Sequence, residues 1–186
     1  MKHARALLTS AAIAISVSLA VPAAAKNPMV GGAPMMANKT IVENASKAKN
    51  LTTLVAAVKA AGLAETLMGS GPYTVFAPTN AAFAKLPKGT VQTLLKPENK
   101  EKLRAILLYH VVPAKATSSA AMKMVKDDGG AHPAKTAQGE QITLKTKGKS
   151  LTVTDATGKV ATVTTADVMQ SNGVVHVINR VLMPKM

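Results

Sequence analysis

The sequence predicts an α+β domain from three observations: helical patterns fill its first half, β-rich runs fill its second half, and one early strand joins them. The early strand covers residues 73 to 77, and the later runs begin at residue 141. Several of these runs alternate apolar and polar residues, which is typical of strands that bury one face. Helices followed by a set of antiparallel strands indicate the α+β class.

The N-terminus carries the pattern of a cleavable signal peptide. Lys2 and Arg5 precede an uncharged stretch, residues 6–21, and three alanines follow shortly after it. Charged, apolar and small residues in this order predict cleavage after residue 25. The uncharged stretch is about 16 residues long, and a membrane-spanning helix needs roughly 20, so a retained anchor is disfavoured. We therefore expect an exported protein, either periplasmic or extracellular, without a membrane anchor.

Two further segments follow the predicted signal peptide over residues 1–25. Residues 26–38 mix Pro, Gly, Met and Asn without a periodic pattern, which predicts an extended leader on the surface. Residues 39–186 are enough for one ordinary hydrophobic core and too few for two, so they predict a single domain.

Composition excludes some functions and favours others. The chain has no cysteine, which excludes a thiol nucleophile, a thiolate metal site and stabilisation by disulfides. Its net charge is +14, and loss of Lys2 and Arg5 with the signal peptide leaves 21 basic and 9 acidic residues, or +12. With two Phe, two Tyr and no Trp to stack on bases, the chain is not expected to bind nucleic acid. We expect a monomer that binds a cell-surface or matrix component, such as an anionic polysaccharide or an acidic protein.

Helix signals recur in the first half of the domain. Thr40 with Glu43 three positions later predicts a capping box and a short helix. Apolar residues at helical spacing between Leu51 and Val58 predict an amphipathic helix. Gly62 follows at the position where a left-handed residue is expected to end this helix.

The segment that follows the early strand predicts shorter elements. Asn80 is the predicted cap of a helix that directs Phe83 into the core. Pro97 is predicted to be the first residue of a longer helix. Residues 109–112 (YHVV) have the β-branched and aromatic content of a strand that ends before Pro113.

Four β-rich runs make up the C-terminal part of the domain. They cover residues 141–148, 150–158, 159–168 and 174–183, with Gly, Asp and Asn turns between them. The last run is mostly apolar, which predicts a central strand that is buried on both faces.

Three ordered motifs resemble the signature segments of the fasciclin (FAS1) domain family. They are residues 73–83 (YTVFAPTNAAF), 108–113 (LYHVVP) and 172–184 (NGVVHVINRVLMP). The resemblance covers roughly residues 38 to 185 and is similar to single-domain secreted bacterial members. It implies a wedge-shaped β-sandwich of short strands with helices packed along one side. It also implies a role in adhesion or extracellular binding without enzymatic activity.

The motifs supply most of the candidate site residues. Thr79 and Asn80 lie in the first motif, and Asn179 lies in the last. Many family members carry Asp at the positions of the two asparagines. Asn keeps a side-chain acceptor, so a capping role survives and a salt bridge does not. These residues and His176 are assigned as structural.

The Tyr-His motif is the second candidate region. Tyr109 and His110 match the positions that the resemblance links to integrin-type adhesion in animal relatives. Against that binding role, a histidine on an apolar strand is more often a core residue hydrogen-bonded to the backbone, here to Asn80 or a main-chain group. The same structural interpretation applies to His176.

Catalysis and metal binding have less support. The sequence contains neither a G-x-S-x-G elbow nor an H-E-x-x-H helix, and its adjacent carboxylates, Asp127 and Asp128, lie in a Gly-rich segment predicted to be a loop. We predict no enzyme activity, no cofactor and no resident metal.

Copper(I) remains an open alternative, because thioether and imidazole groups are soft ligands. The candidate ligands are Met29, Met35, Met36, Met122, Met124 and His132, although methionines also fill gaps in cores.

Lys145, Lys147 and Lys149 form the densest basic feature of the sequence, around Gly148. On a hairpin their side chains are expected to project close together and to offer a site for a polyanion, or only to keep the hairpin end solvated.

Two functions therefore stay open. The first is a secreted adhesion or matrix-binding module of fasciclin type, and the second is a periplasmic protein that binds a small ligand or a metal in a pocket between helices and strands.

Overall fold

The structure, a computed structural model, describes residues 27–185. The predicted signal peptide over residues 1–25 lies outside the described residues. Within residues 27–185, every helix is too short or too polar to cross a membrane.

The segment predicted to be a surface leader forms a hairpin that reaches the core. Strands β1 (Met29–Val30) and β2 (Ala33–Pro34) pair in antiparallel register around two glycines with positive φ. Val30 and Met35 are only 4% and 2% exposed. The prediction of an extended surface segment is therefore wrong for these residues, because both side chains are apolar and the Gly-Gly turn folds them back onto the helices.

Three helices follow the hairpin: α1 (Ile41–Ala45), α2 (Thr52–Ala60) and α3 (Ala64–Met68). The predicted capping box is confirmed, since the Thr40 side chain accepts from the N–H of Glu43 and the Glu43 carboxylate accepts from the N–H of Thr40. Gly62 has φ +68 just beyond α2, and the next N–H, of Leu63, donates to the carbonyl of Val58 at 3.0 Å. This pair of features is a Schellman motif, which confirms the predicted C-cap.

The middle of the chain supplies the strand that joins the two halves. Strand β3 (Tyr73–Pro78) is followed by the short helices α4 (Asn80–Ala84) and α5 (Thr90–Leu94). A 3-10 turn at Pro97–Asn99 then leads into α6 (Lys100–Tyr109).

The predicted strand over residues 109–112 is only half as long as expected. Tyr109 is the last residue of α6 and His110 is its C-cap, so strand β4 is reduced to Val111–Val112. Local β propensity is overridden here because the helical conformation buries Leu103, Ile106, Leu107 and Tyr109.

Helix α7 (Ser118–Asp127) has no counterpart in the predicted elements. Its N-cap is Thr117, whose side chain accepts from the N–H of Ala120. Asp127 is therefore helical and Asp128 is the C-cap, which corrects the predicted loop. The Gly pair that suggested a loop comes only after the helix.

Five strands complete the chain, and four of them match the predicted β-rich runs. They are β5 (Ala131–Lys135), β6 (Gln141–Lys147), β7 (Ser150–Thr154), β8 (Val160–Gln170) and β9 (Gly173–Ile178). All seven strands from β3 onward form one sheet in the order β4-β3-β9-β8-β7-β6-β5. Every neighbouring pair is antiparallel except β3 and β9, which are parallel.

Strand β8 joins the two halves of this sheet. Its first residues pair with β7 and its last residues pair with β9, with two register shifts between Val163 and Val168. Asp167 lies in the second irregularity with φ +55, a backbone conformation in which Asp is one of the few tolerated residues. Bulges bend the strand that carries them, and these two lie in the strand that pairs with both halves of the sheet.

Two hydrophobic cores lie on opposite faces of the central strands. The first packs the hairpin and helices α1 to α6 against one face of β3 and β9. The second lies between the other face of β3 and β9 and the inner faces of β5 to β8, with α7 at its side. All six residues of β9 are buried, which confirms the predicted central strand. The architecture confirms the α+β class.

Candidate functional site

Tyr109 lies in the interior at the end of α6. Its side chain is 0% exposed in the fold, and its hydroxyl donates to the carbonyl of Gln141 and accepts from the N–H of Ala156, each at 2.9 Å. Burial raises the pKa of the phenol. The hydroxyl therefore ties α6 to the first residue of β6 and to the turn that follows β7.

His110 is the matching link to the C-terminal segment. Its Nδ1–H donates to the carbonyl of Ile106 at 2.8 Å, and its Nε2 accepts from the N–H of Leu182 at 2.9 Å. Burial lowers the pKa of the imidazole to about 4, against smaller opposing contributions from the Ile106 carbonyl and Asp155. The ring is neutral at pH 7, with its proton on Nδ1. No face of Tyr109 or His110 is offered to an external partner.

His176 fills the equivalent role in β9 with the opposite tautomer. Its Nε2–H donates to the carbonyl of Ala116 at 2.9 Å, and its Nδ1 accepts from the N–H of Asp167 at 3.3 Å. The ring lies 5.7 Å from the Phe76 ring, centroid to centroid. Burial lowers the pKa of His176. This histidine thus holds the bulge of β8 and the loop before α7.

The first motif is structural in a different way from the prediction. Thr79, and not Asn80, is the N-cap of α4, and its Oγ1 accepts from the N–H of Ala82 at 3.2 Å. The Asn80 side chain instead accepts from the N–H of Thr53 at 3.0 Å and donates to the carbonyl of Lys49 at 3.1 Å. Asn80 therefore caps α2, whose own N-cap residue is a leucine without a capping oxygen.

Asn179 extends the pairing of β9 with β8 past the last strand residue. Its Oδ1 accepts from the N–H of Thr162 at 2.9 Å, and its own N–H donates to the carbonyl of Thr162 at 3.2 Å. At both asparagines of the motifs the donors to Oδ1 are backbone N–H groups, so a neutral acceptor is sufficient.

Two further buried polar residues hold the motifs together. The Asn172 side chain donates to the carbonyls of Leu67 and Gly69 at 2.7 and 3.0 Å and accepts from the N–H of Ile41 at 3.2 Å. Sequence reasoning identified only its turn with Gly173, because three partners about 100 residues or more away leave no local signal.

Asp155 is the second of these residues and is 5% exposed. Its Oδ1 accepts from the N–H groups of Thr157 and Lys159 at 2.9 and 3.0 Å, and its Oδ2 accepts from the N–H of Met183 at 3.1 Å. The Asp-x-Thr-Gly pattern of the β7–β8 turn is a usable sequence signal for the first two bonds. The third bond docks the C-terminal segment.

The predicted lysine cluster lies on the solvent side of β6 and its turn into β7. Lys145 and Lys147 are exposed outward positions of β6, and Lys149 is exposed in the turn. The register places further outward side chains beside them on β5, β7 and β8. We call this surface the outer face; its accessible side chains are Lys135, Gln141, Thr143, Lys145, Lys147, Ser150, Thr154, Val160 and Thr162. None of these outward positions of the four strands is acidic.

A cleft of about 270 Å³ lies between β4 and β5, the two end strands of the sheet. Its walls include the apolar side chains of Phe76, Val112 and Leu144, and two soft donors, Met124 and His132, line it as well. Within residues 27–185, no three His, Asp or Glu side chains are grouped so as to hold a metal ion.

The predicted copper ligands do not form one group. Met29 and Met36 are exposed on the N-terminal side, and Met35 is buried in the first core. Met122 and Met124 pack against the second core. The structure thus keeps the N-terminal methionines apart from the pair on α7.

Comparison with known proteins gives consistent matches. The model of the fasciclin domain matches residues 49–184. Protein sll1483 of Synechocystis sp. is 49% identical over 161 residues, which cover 87% of this chain and 82% of that protein. Immunogenic protein MPB70 of Mycobacterium bovis is 40% identical over 154 residues, with coverage of 80% and 71%.

Matches to proteins from animals extend the comparison. Transforming growth factor-beta-induced protein ig-h3 of Sus scrofa is 39% identical over 145 residues, which are 78% of this chain and only 19% of that protein. A pair of FAS1 domains from the insect cell adhesion molecule Fasciclin I has a TM-score of 0.70 at 17% identity, covering 78% of this chain and 51% of that one. That likeness shows the fold. Together with the motif residues at the centre of the structure, these matches establish that the chain belongs to the fasciclin domain family.

Proposed function

We propose that this protein is a non-enzymatic adhesion module that acts outside the cytoplasm. Its partner is an anionic component of a cell surface or matrix, such as an acidic polysaccharide, and it binds as a monomer through the outer face. The observation that carries the proposal is an exposed strand surface on which lysines lie among threonines and other uncharged side chains, without a carboxylate.

The charges on this surface are available for a partner. Lys145, Lys147 and Lys149 form no ion pair with another residue of the described chain, whereas Lys39, Lys96 and Lys123 do. An unpaired ammonium in water keeps its full attraction for an external anion within a Debye length, roughly 8 Å at physiological ionic strength.

The arrangement of the face suits an extended polymer. Lys145 and Lys147 are two residues apart on one strand, so their Cα atoms are roughly 7 Å apart along β6. Thr143, Thr154 and Thr162 continue the same face across the middle of the sheet and offer hydroxyl groups that donate and accept. A rigid β surface presents these groups without loop ordering, which lowers the entropic cost of binding.

Family membership supports the adhesion role in general terms. A cell adhesion molecule is among the proteins with this fold, and ig-h3 is among its relatives in sequence. The buried positions of Tyr109 and His110 direct the search for the binding surface away from the Tyr-His motif.

Retention on immobilised heparin, with neutral dextran as the blank, tests the proposal. The triple variant Lys145→Gln/Lys147→Gln/Lys149→Gln should bind at least tenfold more weakly than the unaltered protein, a change of about 1.4 kcal/mol. Its matched control is Lys59→Gln/Lys88→Gln/Lys102→Gln, which removes the same charge from exposed positions on α2, in the turn before α5 and on α6.

The comparison separates a defined surface from net charge alone. If the two triple variants lose the same affinity, attraction is a property of the whole basic protein and the outer face is not the site. Salt-insensitive retention of the unaltered protein would also count against the proposal.

A second candidate function, binding of a small ligand or metal, is favoured by the cleft between β4 and β5.

A further inference from the structure

We propose that the cleft between β4 and β5 is a binding site for a soft monovalent metal ion, copper(I), with Met124 Sδ and His132 Nε2 as the protein ligands. This goes beyond the adhesion role and does not depend on it. The site lies at the open edge of the second core, and the outer face lies on the other side of the same strands.

The cleft lies where the two end strands of the seven-stranded sheet, β4 and β5, approach each other without pairing as neighbours. At one end the N–H of Ala137 donates to the carbonyl of Val111 at 2.7 Å, which joins the two edges. Toward Ala114 and His132 the edges separate and the cleft opens. Helix α7 covers this opening, and Met124 is the α7 side chain that lines it.

His132 is oriented as a metal-binding imidazole. Its Nδ1 lies 2.6 Å from Asp128 Oδ2, so the carboxylate favours the tautomer that donates from Nδ1 and carries its lone pair on Nε2. Nε2 has no hydrogen-bond partner in the described part of the chain. A carboxylate behind the coordinating ring is the usual outer-shell arrangement at protein metal sites. The side chain is 24% exposed, which leaves Nε2 a path to solvent.

The spacing of the ligands follows from the end of α7. Met124 and Asp128 are four residues apart, so they lie on the same side of the helix terminus, and Asp128 in turn reaches His132. Both Met122 and Met124 are candidate ligands in the sequence, but two residues correspond to about 200° around a helix. Met122 therefore faces away from Met124.

The chemistry of the site selects a soft ion. Thioether and neutral imidazole groups favour Cu(I), whereas Zn²⁺ and Ca²⁺ prefer more ligands or oxygen ligands. The apolar walls from Phe76, Val112 and Leu144 penalise a strongly hydrated divalent ion more than a monovalent soft one. Lys135 also lines the cleft but is exposed, so its ammonium group can extend into solvent.

Competition with a chromophoric Cu(I) chelator under anaerobic, reducing conditions tests the proposal on the purified protein. We expect one equivalent of Cu(I) to bind, and we expect Met124→Leu and His132→Gln each to weaken binding at least tenfold. Met122→Leu, on the same helix, is the matched control and should bind as the unaltered protein does. Circular dichroism melting of all variants identifies any loss caused by unfolding.

A second measurement does not need the variants to fold. In protein with ¹³C-labelled methionine methyl groups, addition of Ag(I), a redox-inert substitute for Cu(I), should shift the Met124 signal and leave that of Met122 in place. The proposal is overturned if no Cu(I) binds, if Met124→Leu binds normally, or if only the signals of Met29 and Met36 move. Heparin retention of Met124→Leu should be unchanged, so failure here and failure of the adhesion proposal are distinguishable.

Discussion

Mild acid should destabilise this domain through its two buried histidines. His110 and His176 are neutral in the folded protein, and both pKa values are lowered, mainly by burial. In the unfolded chain each imidazole returns to a pKa near 6.5 and takes up a proton more readily. Their contribution to stability is therefore fully present above pH 6.5 and is lost as the pH falls from there toward the folded value.

The size of the loss follows from the shift at His110. A folded pKa of about 4 against an unfolded value of 6.5 corresponds to about 3 kcal/mol across the whole window. Roughly 1 to 2 kcal/mol of this is lost between pH 6.5 and about pH 5, where few carboxylates titrate. His176 adds to the loss with the same sign. For a domain of this size the total is a large fraction of the stability.

Urea unfolding followed by far-UV circular dichroism at several pH values measures this effect. The unaltered protein should show a free energy of unfolding that falls with decreasing pH, by up to about 1.4 kcal/mol per pH unit for each histidine. His110→Gln should have a shallower slope, because Gln offers a donor and an acceptor but no titrating group. Val125→Ala is the control: it removes buried apolar volume from the second core and keeps both histidines.

The test depends on the slope of the free energy of unfolding against pH, and not on the absolute stability of each variant. His110→Gln is expected to be less stable than the unaltered protein at pH 7, and Val125→Ala should lose a comparable amount by a different mechanism. If His110→Gln keeps the full pH slope, or if the unaltered protein is equally stable at pH 5 and pH 7, the ring is not held neutral by the fold as its contacts indicate.

Three further predictions concern the motifs and use the same unfolding measurement. Asn80→Ala should lower the free energy of unfolding by about 2 kcal/mol, because the N-terminus of α2 loses its cap. Asn80→Asp keeps the acceptor and should lower it by less, so equal losses in the two variants would contradict the capping role. Tyr109→Phe should cost about 1 to 2 kcal/mol, since two buried backbone groups lose their partner, and no loss would show that water replaces the hydroxyl. Gly173→Ala should prevent folding or cost more than about 3 kcal/mol, because a Cβ there overlaps the neighbouring carbonyl oxygen of β3, whereas Gly148→Ala meets open space at φ +61 and should cost about 1 kcal/mol.

The sequence predicted well those features that depend on local chemistry. The capping box at Thr40 and the C-cap at Gly62 were both found, because each is a contact between residues no more than five apart. The four C-terminal runs and the buried central strand followed from alternation and apolar content. Local signals also misled where packing decides, since residues 109–112 have strand propensity and the first two of them end a helix.

Features built from distant residues escaped prediction. Asn80 caps a helix that begins 28 residues earlier, and Asn172 bonds to groups more than 100 residues away. The candidate site residues depend on contacts of the same long-range kind. The Tyr-His motif is a candidate binding region in the sequence, and only the fold shows that both side chains face inward. Likewise, nothing in the local pattern of α7 distinguishes Met124 from Met122 as a wall of the cleft.

The parallel pairing of β3 with β9 limits how early this domain can fold during its synthesis. Tyr73 pairs with Gly173, so the middle of the sheet joins segments 100 residues apart. Until β9 has been synthesised, the chain lacks a strand against which both cores pack. The domain therefore cannot complete its fold before β9 is available. This late completion of the sheet is compatible with the export predicted from residues 1–25.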